Sequence, residues 1–209
     1  MVSFQASASR IFFIIFFKRI MQYPSRPEDT TPIKAGDKIP SILLKDENGN
    51  LVNVNKTLSE KPAVLIFYRG GWCPYCNMQM SSLRSSEEEF YNLGFNIFGI
   101  SPDKPESLTE SRGKHNFRYI LLSDSTMRVC SAFGLAWKMP DDEVKMMKEK
   151  FNSDIEASSG EKHHLLPMPA VYLADEKGIF GFQYANPDFT VRMDSQELLQ
   201  IAKKHRGAK

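Results

Sequence analysis

Two cysteines, Cys73 and Cys76, are separated by two residues in the stretch Phe67-Tyr68-Arg69-Gly70-Gly71-Trp72-Cys73-Pro74-Tyr75-Cys76. Only the thiolate of a cysteine is strongly nucleophilic, and an ordinary thiol with a pKa of ~8.5 is just a few per cent ionised at neutral pH. The residues around this pair offer a way to lower that value. An unbroken apolar run, Ala63-Val64-Leu65-Ile66-Phe67, comes before it, and Pro74 fits the first position of a helix, where no N–H is needed. Cys73 is then the N-cap, its sulfur free to accept from the amides of Tyr75 and Cys76 in the positive field of the helix start. Cys76 falls at the third helical position, on the inner side of the first turn. The two sulfurs are therefore expected to meet, with Cys73 the more exposed. Such a pair attacks either the O–O bond of a peroxide or a disulfide of a protein or glutathione. The residues leave both chemistries open.

The neighbours suit a redox corner. Gly70 and Gly71 give the backbone freedom before the turn, and Trp72 is placed to cover the thiols. Arg69, one residue beyond the apolar run and Tyr68, either adds positive potential or is a solvated surface charge. A Cys-x-x-Cys is also half of a tetrahedral zinc site. The nearest candidate for the other half is His163-His164, and adjacent side chains rarely chelate one ion together. No metal and no organic cofactor is expected. The third cysteine, Cys130, follows Val129 on an expected helix and reads as a small core residue. Pro167-Met168-Pro169 precedes a later apolar run; its prolines either end a loop or set a cis bond opposite the thiols.

The elements that must hold this corner can be followed along the chain. Residues 38–45 read as a short edge strand containing Pro40, and Asn48-Gly49 as a hairpin turn between Leu43-Leu44 and Leu51-Val52. The run at residues 63–67 is that of a strand covered on both faces. A helix is expected from Pro74 to about Leu93, with Met80, Leu83, Phe90 and Leu93 as its apolar stripe and Gly94 as its stop. Residues 95–100 and 119–122 read as further strands, with a short helix between them. Ser123-Asp124-Ser125 reads as a cap-like entry to a helix ending at Phe133. Residues 137–166 break the rhythm as an insertion, with a helix over 141–151 and a polar loop over 153–164. A hairpin over 170–184 and a helix from 194 to about 203 close the chain. The order predicts an α/β domain over residues 34–205, with a central mixed sheet, helices on both faces and a helical insertion before the last hairpin.

Composition narrows the partners. The chain has 209 residues, 42% apolar and 25% charged, with 27 basic and 25 acidic side chains for a net charge of +2. Mixed charge of this kind points to neither nucleic acid nor an anionic surface. Three cysteines in a chain this long fit a reducing compartment such as the cytoplasm, not a disulfide scaffold. Residues 1–33 read as an N-terminal arm. Within it residues 11–17 are apolar but far short of the ~20 residues that span a bilayer. They are either a weak interfacial anchor or part of a segment, residues 1–20, absent from a mature protein that begins at Met21.

Taken together, Phe67 to Cys76, Ser101-Pro102-Asp103, Leu122-Ser123-Asp124, Phe133-Gly134-Leu135, Leu166 to Ala170 and Asn186 to Arg192 resemble the peroxiredoxin-like proteins of the alkyl hydroperoxide reductase and thiol-specific antioxidant family. The resemblance implies a thioredoxin-like fold, in which Pro169 matches the cis proline facing the active site. It implies an antioxidant thiol peroxidase acting on hydrogen peroxide or organic hydroperoxides. A dithiol donor, thioredoxin or a glutathione/glutaredoxin system, would reduce it, and a homodimer is compatible with it. In the family register, Pro-x-x-x-Thr-x-x-Cys, the peroxide-attacking cysteine is Cys76, while Arg69 replaces the proline and Cys73 the threonine. In a glutaredoxin-like register, Trp72-Cys73-Pro74-Tyr75-Cys76, Cys73 attacks and Cys76 resolves, which suits thiol–disulfide exchange. A redox-sensing binding module using the insertion is a further alternative. The arginine that the family places beside the sulfur has no match at Met168-Pro169, and Arg128 reads as a helix-surface charge.

Overall fold

The structure, a computed structural model, describes residues 23–116 and 118–207; the apolar run at 11–17 and Met21 lie outside the described residues. Its centre is a seven-stranded sheet in the order β2-β1-β5-β4-β3-β8-β9. The strands are β1 (Leu43–Asp46), β2 (Leu51–Asn53), β3 (Ala63–Phe67), β4 (Asn96–Ser101), β5 (Ile120–Ser123), β8 (Ala170–Ala174) and β9 (Phe180–Ala185). Strands β3, β4 and β5 are parallel, whereas β1, β8 and β9 join antiparallel, so the sheet is mixed. Every residue of β3 is buried, as its unbroken apolar run requires.

Side chains of β3 alternate between two cores. Ala63, Leu65 and Phe67 join Phe98, Phe133, Tyr172 and Phe180 on one face. Val64 and Ile66 join Phe90, Phe95, Leu198 and Leu199 on the other. The first face is covered by α1 (Val54–Leu58) and α5 (Arg128–Ala132). The second is covered by α2 (Pro74–Arg84), α3 (Glu87–Asn92), α4 (Pro105–His115) and α8 (Ser195–Gly207). The expected mixed sheet with helices on both faces is therefore present.

Local chemistry explains where the elements depart from expectation. The first strand starts only at Leu43. Before it, the Ile42 amide donates to the Asn55 side chain (2.7 Å), and the Pro40 carbonyl accepts from that side chain (3.0 Å). The same region holds α1, which the sequence reading did not include; the Asn53 side chain caps it at the Lys56 amide. The single helix expected over 74–93 is broken into α2 and α3 at Ser85-Ser86. There the Ser85 hydroxyl returns to the Ser82 carbonyl (2.6 Å) and the Ser86 hydroxyl accepts from Gln196 (2.8 Å). Asp124 does cap the next helix, α5, but from a distance, accepting from the amides of Val129 and Cys130.

The insertion is bracketed by β6 (Ala136–Lys138) and β7 (Leu165–Pro167), which pair as a separate two-stranded sheet. Between them lie α6 (Asp141–Phe151), as expected, and α7 (Ile155–Ser159), in a segment expected to be loop. Asp154 caps α7 at the Ala157 amide. Trp137, Met139, Val144, Ile155 and Leu166 form a small core of their own, and Trp72 packs against it. The insertion thus reaches the cysteine corner. Among the described residues, no helix is long and apolar enough to cross a membrane.

Candidate active site

Chain direction brings the corner to the carboxyl end of β3. The Tyr68 amide still bonds to the Ile100 carbonyl of β4 (3.0 Å), and the chain then turns sharply. Gly70 has φ +142°, and a Cβ there would meet the Trp72 indole nitrogen at 2.4 Å; a Cβ on Gly71 would meet the Ser111 hydroxyl at 1.9 Å. Only glycine fits either place. The turn is tied down by the Gly71 amide, which donates to Asp103 (2.8 Å), and by the Gly71 carbonyl, which accepts from Asn77 (2.9 Å). Asp103 is itself buried. It also accepts from the hydroxyls of Ser101 (3.0 Å) and Ser158, so one carboxylate joins the corner, β4 and the insertion.

Cys73 is the N-cap of α2, Pro74 its first residue and Cys76 its third. Neither thiol is exposed: Cys73 is 1% and Cys76 0% accessible, in one apolar cluster with Tyr68, Met80 and Met193. Cys73 is the more exposed of the two, as expected, but only by this margin. Trp72, pinned between the corner and the insertion core, packs against the same cluster. The Cys73 sulfur makes no full capping hydrogen bond, a departure from expectation.

The two thiols are unequal. The Cys76 thiol hydrogen-bonds to the Cys73 sulfur, which lowers the Cys73 pKa to about 6 against the opposing effect of burial. The Cys76 amide and the charges of Arg69 and Arg192 lower it further. Burial, followed by the Cys73 sulfur, pushes Cys76 well above the ordinary thiol value. The two thiols titrate as a pair, and burial favours the proton on the deeper sulfur.

Two arginines serve this pair. Arg69 is 4% exposed, so it is no surface charge. Its guanidinium lies between the rings of Trp72 (5.0 Å) and Phe189 (4.1 Å), and Phe189 meets Tyr75 edge to face at 5.7 Å. Arg192 donates to the Cys76 sulfur at 3.3 Å. The sequence reading found no arginine for that place. Arg192 closes a stretch already matched to the family, yet it is 116 residues from Cys76, and no local pattern links them. Arg128 is exposed on α5, as expected.

Pro169 lies beside the corner, because Ala170 pairs with Phe67. It is not cis: among the described residues no peptide bond is cis. Nor is a backbone edge open there. The Pro169 carbonyl accepts from the Asn186 amide (3.2 Å), continuing the β8–β9 ladder, and the Met168 amide donates to Leu135 (2.8 Å). The histidine pair is divided between two tasks. His163 bonds the Ser125 carbonyl (2.7 Å), while His164 is held by Asp141 and Glu156 (2.7 Å each). Among the described residues, no group of three or more His, Cys, Asp or Glu side chains could hold a metal ion.

Residues 35–182 match the model of the AhpC/TSA family. The chain is 36% identical to "Peroxiredoxin Bcp" of Escherichia coli over 104 residues, half of this chain and 66% of that one. It is 34% identical to "Peroxiredoxin Bcp" of Bacillus subtilis over 107 residues, covering 51% of this chain and 67% of the other. It thus spans about two thirds of the length of these curated relatives. Among solved structures, the "Peroxidoxin BcpB" of Mycobacterium tuberculosis superposes with a TM-score of 0.65 at 20% identity, over 85% of this chain and 99% of the other. A PrxQ variant of Xylella fastidiosa gives 0.66 at 16% identity, over 84% and 98%. These likenesses carry the fold, which is thioredoxin-like.

Proposed function

The chain belongs to the AhpC/TSA family, and from that premise we propose that it is an antioxidant thiol peroxidase whose reacting groups are Cys73 and Cys76. The observation that carries the assignment is geometric: two thiols meet at one helix start, with the buried Arg69 beside them and Arg192 donating to the Cys76 sulfur. The Cys73 thiolate attacks one oxygen of a hydroperoxide, ROOH. The O–O bond breaks, ROH leaves once protonated, and Cys73 becomes a sulfenic acid. The Cys76 sulfur, hydrogen-bonded to it beforehand, displaces hydroxide, which leaves as water with the Cys76 proton, and the disulfide forms. A dithiol donor of the thioredoxin or glutaredoxin kind reduces that disulfide by exchange. Arg69 and Arg192 stabilise the thiolate and the charge that develops on the departing oxygen. Trp72, Pro74 and Tyr75 shape the corner, and Pro169 supports it from β8. The reaction fits a reducing compartment such as the cytoplasm.

The contact of Arg192 with Cys76 favours a second reading, in which Cys76 attacks and Cys73 resolves. Thiol–disulfide exchange, with Cys73 as its nucleophile, uses the same pair. Single-turnover oxidation by hydrogen peroxide, followed by sulfenic-acid trapping and mass spectrometry, separates these readings. Cys73→Ser is expected to lower peroxide consumption by about a thousandfold or more. Cys76→Ser should still form a trappable sulfenic acid on Cys73 but not turn over. A sulfenic acid on Cys76 in Cys73→Ser, formed at the wild-type rate, reverses the order. Insulin reduction with no peroxide consumption replaces the peroxidase by exchange.

A further inference from the structure

The peptide unit between Gly70 and Gly71 is held from both sides. Its carbonyl, that of Gly70, accepts from the Cys73 amide (3.1 Å). Its N–H, that of Gly71, donates to Asp103 (2.8 Å). A peptide unit is planar, so a tie on its N–H also sets where its carbonyl points. Two adjacent glycines leave this plane freer to rotate than bulkier neighbours would. The Asp103 carboxylate is thus what keeps the Gly70 carbonyl aimed at Cys73. It lies close against the turn: a Cβ on Gly70 would stand 2.8 Å from its Oδ1.

Asp103 is buried, and among the described residues no ion pair reaches it. Burying a carboxylate without a cation is unfavourable, and burial pushes its pKa up. Three neutral donors offset that cost, and the two oxygens divide them. Oδ2 accepts from the Gly71 amide and the Ser101 hydroxyl, Oδ1 from the Ser158 hydroxyl. Ser158, on α7 of the insertion, is itself fixed in place. Its carbonyl accepts from the Lys104 amide (2.9 Å) and the Ser107 hydroxyl (3.0 Å) at the start of α4. The insertion therefore supplies the donor that one carboxylate oxygen needs.

We infer that Asp103 is a positioning residue for Cys73, and that the insertion holds it in that role through Ser158. The inference rests on the reading of Cys73 as a reacting thiol and deepens it. Cys73 is acidic because its sulfur stands where the Cys76 thiol and amide and the charges of Arg69 and Arg192 reach it. Arg69 comes just before the Gly70–Gly71 unit and Cys73 two residues after it, so rotation of that plane displaces one from the other.

The direction of one shift tests this. Asp103→Ala removes a negative charge and an acceptor together. Loss of the charge alone would lower the pKa of a nearby thiol, whereas loss of position raises it towards the ordinary ~8.5. Asp103→Asn removes the charge and keeps an acceptor for Gly71. The readout is the pH midpoint of iodoacetamide alkylation at Cys73, followed by cysteine-resolved mass spectrometry on protein shown to be folded by circular dichroism. The wild type should give about 6. Asp103→Ala should have a higher midpoint and react roughly tenfold more slowly near pH ~6.5, while Asp103→Asn should lie at or below the wild-type midpoint. An Asp103→Ala midpoint at or below that of the wild type, or an Asp103→Asn midpoint raised as far as that of Asp103→Ala, overturns the inference.

Ser158→Ala loses only a partly buried hydroxyl, so it serves if Asp103→Ala does not fold. Its Cys73 midpoint should rise by a smaller amount, and an unchanged midpoint overturns the inference. Alkylation needs no peroxide. If the variants shift as expected but the wild type consumes no peroxide, the peroxidase reading falls and the positioning role stands.

Discussion

Two helix starts in this molecule place a buried cysteine at the third position, and they share almost nothing else. Cys76 holds that place in α2 and Cys130 in α5; both are inaccessible. Each helix follows a strand of the parallel set, β3 and β5, so each starts at the same end of the sheet. At α5, the Asp124 carboxylate occupies the amides of Val129 and Cys130, and after burial it is the main reason the Cys130 thiol is pushed far up. At α2 there is no such carboxylate. The N-cap is a second thiol, and two guanidinium groups face the pair. Burial is common to both places, so burial does not decide reactivity. The sign of the neighbouring charge does.

The largest effect expected from this contrast is in pH-dependent alkylation. Cys73 should react with iodoacetamide along a curve half-maximal near pH 6, its thiolate lost below that value and complete above it. An ordinary thiol would be half-maximal near ~8.5. Cys130 should stay unlabelled at every pH until the protein unfolds. Cysteine-resolved mass spectrometry checks both, and a Cys73 midpoint above pH 8 would break the comparison. Next in size is Asp124→Ala, which removes the acceptor for two amides of α5. It should lower stability by about 1–2 kcal/mol in urea denaturation and leave peroxide turnover within about twofold at 25 °C. A large loss of turnover by folded protein would show that the two helix starts are coupled.

The smallest effect concerns the insertion, whose core packs against Trp72 of the reactive corner. His164 is held by Glu156 and Asp141, which raise its pKa, Glu156 the more. Its folded value lies above the unfolded ~6.5. The stabilisation is therefore complete below that value and lost as pH rises through the folded one. Its φ of +57° calls for a residue that tolerates left-handed backbone, so His164→Asn is the variant to use. The melting-temperature difference from wild type should be greatest near pH 5.5 and shrink towards alkaline pH. Because Asp141 is exposed, added salt should weaken it too. A difference independent of pH would mean that the clamp is not ionic.

Much of this was legible locally. The five apolar residues of β3, the Asn48-Gly49 turn and the proline that opens α2 each fix their own conformation within a few neighbours. The split between α2 and α3 was not legible from the apolar stripe, since Met80, Leu83 and Phe90 keep helical spacing across the break and all are buried. Serine hydroxyls bonded to the backbone and to Gln196 decide that point.

The sequence by itself determined that a thiol pair would begin a helix at the end of a buried strand, because spacing, proline and apolar run act over a dozen residues. It also determined the membership that residues 35–182 display. Only the tertiary structure decided which charges face the thiols. Arg192 reaches Cys76 from across the fold, and Asp103 draws the Gly71 turn and Ser158 of the insertion onto one carboxylate. Coulombic and hydrogen-bond interactions depend on distance in space, and distance between remote segments is set by how the sheet is paired.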